Sequence, residues 1–210
     1  MNNSPIQFSS DAPRLSVVIP VYNEEDGLNA LFDRLYPALD QITSQFALSY
    51  EIVFVNDGSK DRSAAILAMQ YEKRPDVTRV VLFANNFGQH MAIMAGFEYA
   101  RGEYVITLDA DLQNPPEEIR KIVRQLEEGH DYVGTIRYTR QDSWFRKSAS
   151  RAMNHLRDKM TRITMTDQGC MMRGYHRRIV HLVSQCEEAN TFIPALAYTF
   201  ANKPIEISVK

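Results

Sequence analysis

Asp109 and Asp111 stand one residue apart just beyond Tyr104-Val-Ile-Thr-Leu108, an apolar run of buried-strand length that is rich in β-favouring residues. In extended backbone, residues i and i+2 project to the same side. The pair can therefore aim its carboxylate oxygens at one point past a strand's carboxyl end, where open α/β sheets bind ligands. Two carboxylates that close repel unless a proton or a cation sits between them. A hard divalent ion, held by one or two carboxylates and by substrate phosphates, meets that need. The plainer alternative is a pair of turn aspartates capping the helix that Pro115 and Pro116 introduce.

The elements that would position this pair are legible on both sides of it. Apolar runs at Leu15–Pro20, Glu51–Asn56, Arg79–Ala84, Tyr104–Leu108 and Tyr132–Ile136 read as strands. Between them, helical patterns run over Asp26–Ser44, from the capping residues Asp61 and Ser63 to Lys73, over Gly88–Arg101, and over Pro116–Glu128. Gly102 and Gly129 read as helix stops. Strands alternating with helices predict an α/β fold with a mainly parallel central sheet and helices on both faces. The first three strands are each followed by polar loop residues: Asn23 and Glu24, then Asp57-Gly58-Ser59, then Asn85, Asn86 and Gly88. Parallel connections bring those loops to the same sheet edge as Asp109 and Asp111.

Bulk properties narrow the function. In 210 residues the chain carries 24 basic and 26 acidic residues, so whole-protein attraction to nucleic acid is not indicated. Two cysteines, Cys170 and Cys186, make no disulfide framework. No apolar stretch reaches membrane-spanning length and the start lacks a signal peptide's apolar core, so this piece is expected to be soluble. Neither Gly-x-Gly-x-x-Gly nor a P-loop occurs, so a bound diphosphate would need its charge neutralised another way. Cys170, in an apolar patch, and the methionines Met91, Met94, Met165, Met171 and Met172 read as packing.

From Asp142 to Arg162, Phe145, Ala149, Ala152, Met153, Leu156 and Met160 fall at helical spacing. Arg146, Lys147, Arg151, Arg157, Lys159 and Arg162 fill much of the rest, with Trp144 near the start. Such a basic amphipathic helix suits an anionic membrane surface, or a core-packed helix with a solvated face. Arg137 and Arg140 precede it, and arginine forks match phosphate oxygens. Helix-like stretches over His176–Gln185 and Thr191–Ala201 and a strand from Pro204 close the chain, which looks cut directly after that strand.

Val17-Val-Ile-Pro-Val-Tyr-Asn23-Glu, Asn56-Asp57-Gly-Ser59, Asn86-Phe-Gly88-Gln-His90 and Asp109-Ala-Asp111-Leu-Gln113-Asn-Pro-Pro-Glu resemble, in order, the motifs of family 2 glycosyltransferases. The likeness is closer to the polyprenyl-phosphate group. Within it, Arg140-Gln-Asp-Ser-Trp144-Phe-Arg146-Lys and Gly169-Cys-Met-Met-Arg173 are most similar to the undecaprenyl-phosphate 4-deoxy-4-formamido-L-arabinose transferases. The resemblance implies an A-type glycosyltransferase fold over residues 14–210, behind a flexible lead of residues 1–13 and cut before an acceptor loop and membrane helices. It also implies a UDP- or GDP-sugar donor, with UDP expected, and a polyprenyl phosphate acceptor. Pro20, Tyr22, Glu24 and Asp57 would hold base and ribose. Asp109, Asp111 and Gln113 would hold Mg²⁺ or Mn²⁺ against the diphosphate, and Arg137 and Arg146 would engage the acceptor phosphate, these two and Asp111 being the catalytic residues. The full-length protein would work at the cytoplasmic face of the inner membrane, in lipid A modification, with a homo-oligomer as one arrangement open to it.

The chemistry agrees with that implication. A lipid monophosphate, with a second pKa near ~6, is mostly dianionic at neutral pH and needs no general base. It needs positioning, worth up to roughly 7–11 kcal/mol, and charge neutralisation. Direct attack inverts the sugar carbon. Other readings are a bactoprenol glucosyl- or dolichyl-phosphate-mannose-type synthase, or a non-catalytic nucleotide-sugar-binding module. A haloacid-dehalogenase-like phosphatase also uses Asp-x-Asp, but normally near the N-terminus and with Thr or Val where this chain has Gln113.

Overall fold

The computed structural model describes residues 12–137, 167, 170–186 and 192–209, with Arg137 described by its backbone alone. The elements in chain order are β1 (Leu15–Val21), α1 (Leu28–Phe46), β2 (Tyr50–Asn56), α2 (Ser63–Lys73), β3 (Thr78–Leu82), α3 (Gln89–Tyr99) and β4 (Tyr104–Thr107). A single 3₁₀ turn, Pro116–Glu118, leads into α4 (Ile119–Glu127). There follow β5 (Tyr132–Arg137), β6 (Arg173–His176), α5 (Arg177–Ser184), α6 (Ile193–Phe200) and β7 (Pro204–Val209).

The strands form one sheet in the order β3-β2-β1-β4-β6-β5-β7. β1 pairs in parallel with both β2 and β4, and β2–β3 and β5–β7 are parallel too. The sheet is thus mostly parallel, as the sequence predicts. β6 is the exception, antiparallel to both β4 and β5. Arg173-Gly-Tyr-His is too short and too polar to read as a strand by itself. It extends because both its edges are taken up by neighbouring backbone and because Gly174 lets α4 come close: a Cβ there would sit 2.3 Å from Ile122 Cγ2.

Alternation along the central strands supplies both faces. Val17, Ile19, Ile52 and Phe54 pack with α1, α4 and Leu67 of α2. Val18, Val53 and Val55 pack with α3, α5 and α6. Strands buried on both sides read as continuous apolar runs, which is why β1 and β2 were plain in the sequence. In α1, Leu28, Leu31, Leu35, Leu39 and Ile42 are buried at helical spacing. The helix begins two residues later than expected because Glu24 O accepts from Gly27 N and Leu28 N and closes a turn first.

Gly102 does not cap α3, which ends in Ala100 with extended backbone. Its N–H donates to Ser16 Oγ at 2.8 Å, and a Cβ there would meet Ser16 N at 2.6 Å and Leu15 C at 2.8 Å. Ser16 in turn donates to Glu51 Oε1 (2.8 Å), and Glu51, 1% exposed, also accepts from the Arg101 backbone (2.7 Å) and guanidinium (2.8 and 2.9 Å). This cluster ties β1, β2 and the approach to β4 together at the end opposite the polar loops. Glu51→Ala should lower stability by about 1–3 kcal/mol, because a buried hydroxyl and a backbone N–H lose their acceptor while half-exposed Arg101 can turn to water. A lower urea midpoint at unchanged m-value would show it.

Candidate active site

The carboxyl ends of β1, β2 and β4 meet over a cavity of about 270 Å³ that opens to solvent. Pro20, Val21, Tyr22 and Glu24 line it from β1 and its loop, Asp57 from β2, Asn86, Gly88 and Gln89 from the β3–α3 connection, and Asp109, Ala110 and Asp111 from the β4 loop. Backbone hydrogen bonds carry the sheet ladder past the strand ends and fix these loops: Asp57 N–H to Val21 O (2.8 Å), Phe83 N–H to Asn56 O (2.9 Å) and Leu108 N–H to Val18 O (3.0 Å).

The first two loops lock onto each other. Asn23, at φ +53°, donates from its N–H to Ser59 Oγ (2.9 Å) and accepts from Lys60 N–H (2.8 Å). Glu24 N–H donates to Ser63 Oγ (2.9 Å), and Glu25 N–H to Asp61 Oδ2 (3.0 Å). Asp61 and Ser63, expected as caps, do this wider job; Asp61 Oδ1 also accepts from Ser63 N–H, the first of α2 (2.9 Å).

Asp57 anchors the third loop. Its carboxylate, 2% exposed, accepts from Phe87 N–H (2.7 Å), Gly88 N–H (2.8 Å) and Asn86 Nδ2 (3.0 Å). Gly58 beneath it, at φ +63°, leaves no room for a side chain, because a Cβ would lie 2.3 Å from Asn85 C. Gly88, at φ +92°, then turns the chain into α3. Asn56 stays 3% exposed inside β2 and does not line the cavity.

In the fourth loop, Asp109 and Asp111 both reach the cavity, although β4 stops at Thr107 and both lie beyond the strand, Asp111 on a turn. Asp109 Oδ1 accepts from Gln89 Nε2 at 2.8 Å, and Asp111 Oδ1 from Gln113 N–H at 3.0 Å. Leu112 between them holds φ +59°, a conformation costly for a branched residue. Gln113 does not line this cavity, and its backbone N–H supports Asp111. Asn114, Thr135 and Cys170 form a buried polar contact beside the loop, with Cys170 Sγ 2.9 Å from Thr135 Oγ1 and 3.3 Å from Asn114 Oδ1, a packed thiol as expected.

Every cavity residue singled out from the sequence is thus brought together except Gln113. The order of the loops already places Asn86 and Gly88 at this edge; Gln89, in the same motif, has no role from the sequence, and only the fold shows its side chain reaching Asp109. Arg137 ends β5, and its side chain lies outside the described residues. So do Arg146, Arg140, Trp144, the basic helix expected over 142–162, Met165 and residues 1–11 of the lead. Of the methionines expected to pack, Met91 is 43% exposed, because it projects from the first turn of α3 beside this edge.

The electrostatics are one-sided. Glu24, Asp57, Asp109 and Asp111 line the cavity, and no lysine or arginine does so among the described residues. Burial raises the Glu24 pKa, with the charges of Asp111 and Asp61 adding to the rise. Three His, Cys, Asp or Glu side chains converge nowhere among the described residues to close a metal site. Asp109 and Asp111 are hard oxygen donors on an open rim, which fits a hexacoordinate cation that takes its other ligands from phosphate oxygens and water.

The family model for glycosyl transferase family 2 matches residues 16–183. The chain belongs to that family. It is 52% identical over 196 residues to the undecaprenyl-phosphate 4-deoxy-4-formamido-L-arabinose transferase of Serratia proteamaculans, covering 93% of this chain and 59% of that protein. The Aeromonas hydrophila protein of the same name is 48% identical over 209 residues, covering 100% of this chain and 61% of its own length. The chain therefore spans about three-fifths of these curated relatives. Among solved structures, it is similar to the mannosyltransferase PcManGT from Pyrobaculum calidifontis in complex with GDP-Man and Mn²⁺, at TM-score 0.62 and 20% identity over 98% of this chain and 59% of that one. It is similar also to S. aureus TarS 1-349 in complex with UDP, at TM-score 0.61 and 18% identity over 94% of this chain and 58% of that one. These likenesses show the A-type glycosyltransferase fold.

Asp57→Asn should set an amide donor against the N–H groups of Phe87 or Gly88, lower stability by about 1–3 kcal/mol, and speed amide exchange at those two residues. Exchange monitored by NMR would show it. The Glu24 carboxyl, with its pKa raised on folding, costs no stability below its unfolded pKa and its full penalty above the folded one. Glu24→Gln should therefore raise the melting temperature of the metal-free protein at pH 7 and change it little at pH 4. Thermal melts at both pH values in chelator check this.

Proposed function

We propose that this chain is the donor-binding and catalytic part of an inverting transferase that moves 4-deoxy-4-formamido-L-arabinose from UDP to undecaprenyl phosphate, assisted by Mg²⁺ or Mn²⁺, at the cytoplasmic face of the inner membrane. The sugar and the acceptor rest on relatives about half identical over nearly the whole chain. The observation that carries the donor chemistry is the cavity itself: carboxylates and no basic residue in its described lining, at the edge of a family 2 fold. Such a surface repels a diphosphate, and a divalent ion between them reverses the sign of the interaction.

Asp109 and Asp111 would hold that ion, whose contribution is to stabilise charge developing on the departing diphosphate. Pro20, Tyr22, Glu24 and Asp57 would shape the nucleotide seat, with Tyr22, 42% exposed at the rim, offering an aromatic face to a base. Asp57 does so by holding loop 86–88, since its carboxylate is already engaged there. Arg137 and Arg146 would neutralise and orient the acceptor phosphate, a nucleophile without proton removal. The basic segment over 142–162 would lie against anionic lipid.

Calorimetric titration with UDP, with and without Mn²⁺ and beside GDP, tests the donor site. We expect UDP affinity to rise at least tenfold with Mn²⁺, GDP to bind more weakly, and Asp111→Ala to abolish the rise. Equal UDP affinity with and without the ion would overturn the metal role, and a preference for GDP the choice of donor. Arg146→Ala should leave donor binding intact and slow transfer to undecaprenyl phosphate at least tenfold. Donor binding by a wild type that never turns over would favour a binding module instead.

A further inference from the structure

The cavity has two halves built on different strands: the nucleotide half on β1 and β2, and the carboxylate half on the β4 loop. Among the described residues, the Gln89 side chain joins them. Gln89, the first residue of α3, donates from Nε2 to Asp109 Oδ1 at 2.8 Å, and both line the cavity. Gln89 is itself held from the nucleotide side. Asp57 fixes the N–H groups of Phe87 and Gly88, Gly88 turns at φ +92°, and Gln89 follows directly.

We propose that Gln89 is a positioning residue that holds the Asp109 carboxylate in the one orientation able to meet a divalent cation, and that the line Asp57–loop 86–88–Gln89–Asp109 couples the nucleotide seat to the metal. The chemistry is specific to a primary amide. An unrestrained aspartate in a loop samples several rotamers, and only some of them face Asp111. An amide N–H to a carboxylate is a charge-assisted hydrogen bond that selects among them without bringing a positive charge that would compete with the cation. A lysine or arginine in this place would pair with Asp109 and displace the ion. Hydrogen-bond partners that orient ligating carboxylates typically change metal affinity by ~10–100-fold when removed.

This inference rests on the metal role of Asp109 proposed above, and its test separates the two. UDP binding to the 210-residue chain is measured by calorimetry in chelator and across a Mn²⁺ titration, for wild type, Gln89→Met and Gln89→Ala. Methionine keeps the length and bulk of glutamine but cannot donate, so it spares packing and removes only the hydrogen bond. The expected result is that both variants bind UDP in chelator within about twofold of wild type, melt within a few degrees of it, and need about ten times more Mn²⁺ for half-maximal enhancement. A Met variant with the wild-type Mn²⁺ requirement would overturn the positioning role of Gln89 while leaving the metal site standing. A wild type indifferent to Mn²⁺ would overturn the metal reading and this inference with it. UDP affinity lost equally in chelator and in Mn²⁺ would show a packing role for Gln89 and overturn the proposal.

Discussion

β1 is hydrogen-bonded in parallel along both edges, to β2 on one side and β4 on the other, and everything functional in this molecule depends on that arrangement. Parallel neighbours must end on the same side. Val18 O and Val21 O extend the ladders into the β4 loop and to Asp57, so these loops begin from fixed backbone. At the opposite end, the buried Glu51 cluster with Ser16, Arg101 and Gly102 sets how close β1, β2 and the start of β4 stand. Shifting that packing would displace each half of the cavity relative to the other.

The loops then solve an electrostatic problem by unequal treatment of similar groups. Asp57 is satisfied internally by two backbone N–H groups and an amide, and serves as scaffold. Glu24 is partly buried near Asp111 and Asp61, and burial first, then those two charges, raises its pKa. Asp109 and Asp111 each have one oxygen that accepts from a neutral donor, which helps to orient them. Leu112, at φ +59°, lies inside the turn that the Gln113 N–H to Asp111 bond closes, and carries local strain there.

Legibility differed from element to element for physical reasons. β1 and β2, buried on both faces, announced themselves as apolar runs. α1 was clear from Leu28, Leu31, Leu35 and Leu39, and only its start moved, because a turn centred on Glu24 competes with the first helical residues. β6 was hidden, since Arg173 and Gly174 carry no strand signal. Arg173 is fully buried all the same, its guanidinium donating to the nearby Cys170 O and Asp167 O and to the hydroxyl oxygen of Tyr132 on β5. Gly102 read as a helix cap because glycine usually marks one, whereas its actual constraint is the backbone of Leu15 and Ser16 lying against it.

By itself the sequence determined the α/β class, the order of four polar loops along one sheet edge, and the residue types gathered there, because periodicity and the alternation of strand and helix are local properties. Tertiary structure decided what each side chain faces. It set Gln113 outside the cavity and Gln89 inside it, made Asp57 a loop anchor, and placed an antiparallel β6 between β4 and β5. Those outcomes depend on contacts between residues distant in sequence: Gln89 and Asp109 lie on separate elements, and no spacing rule predicts a hydrogen bond that forms only once β1 has brought β2 and β4 to the same edge.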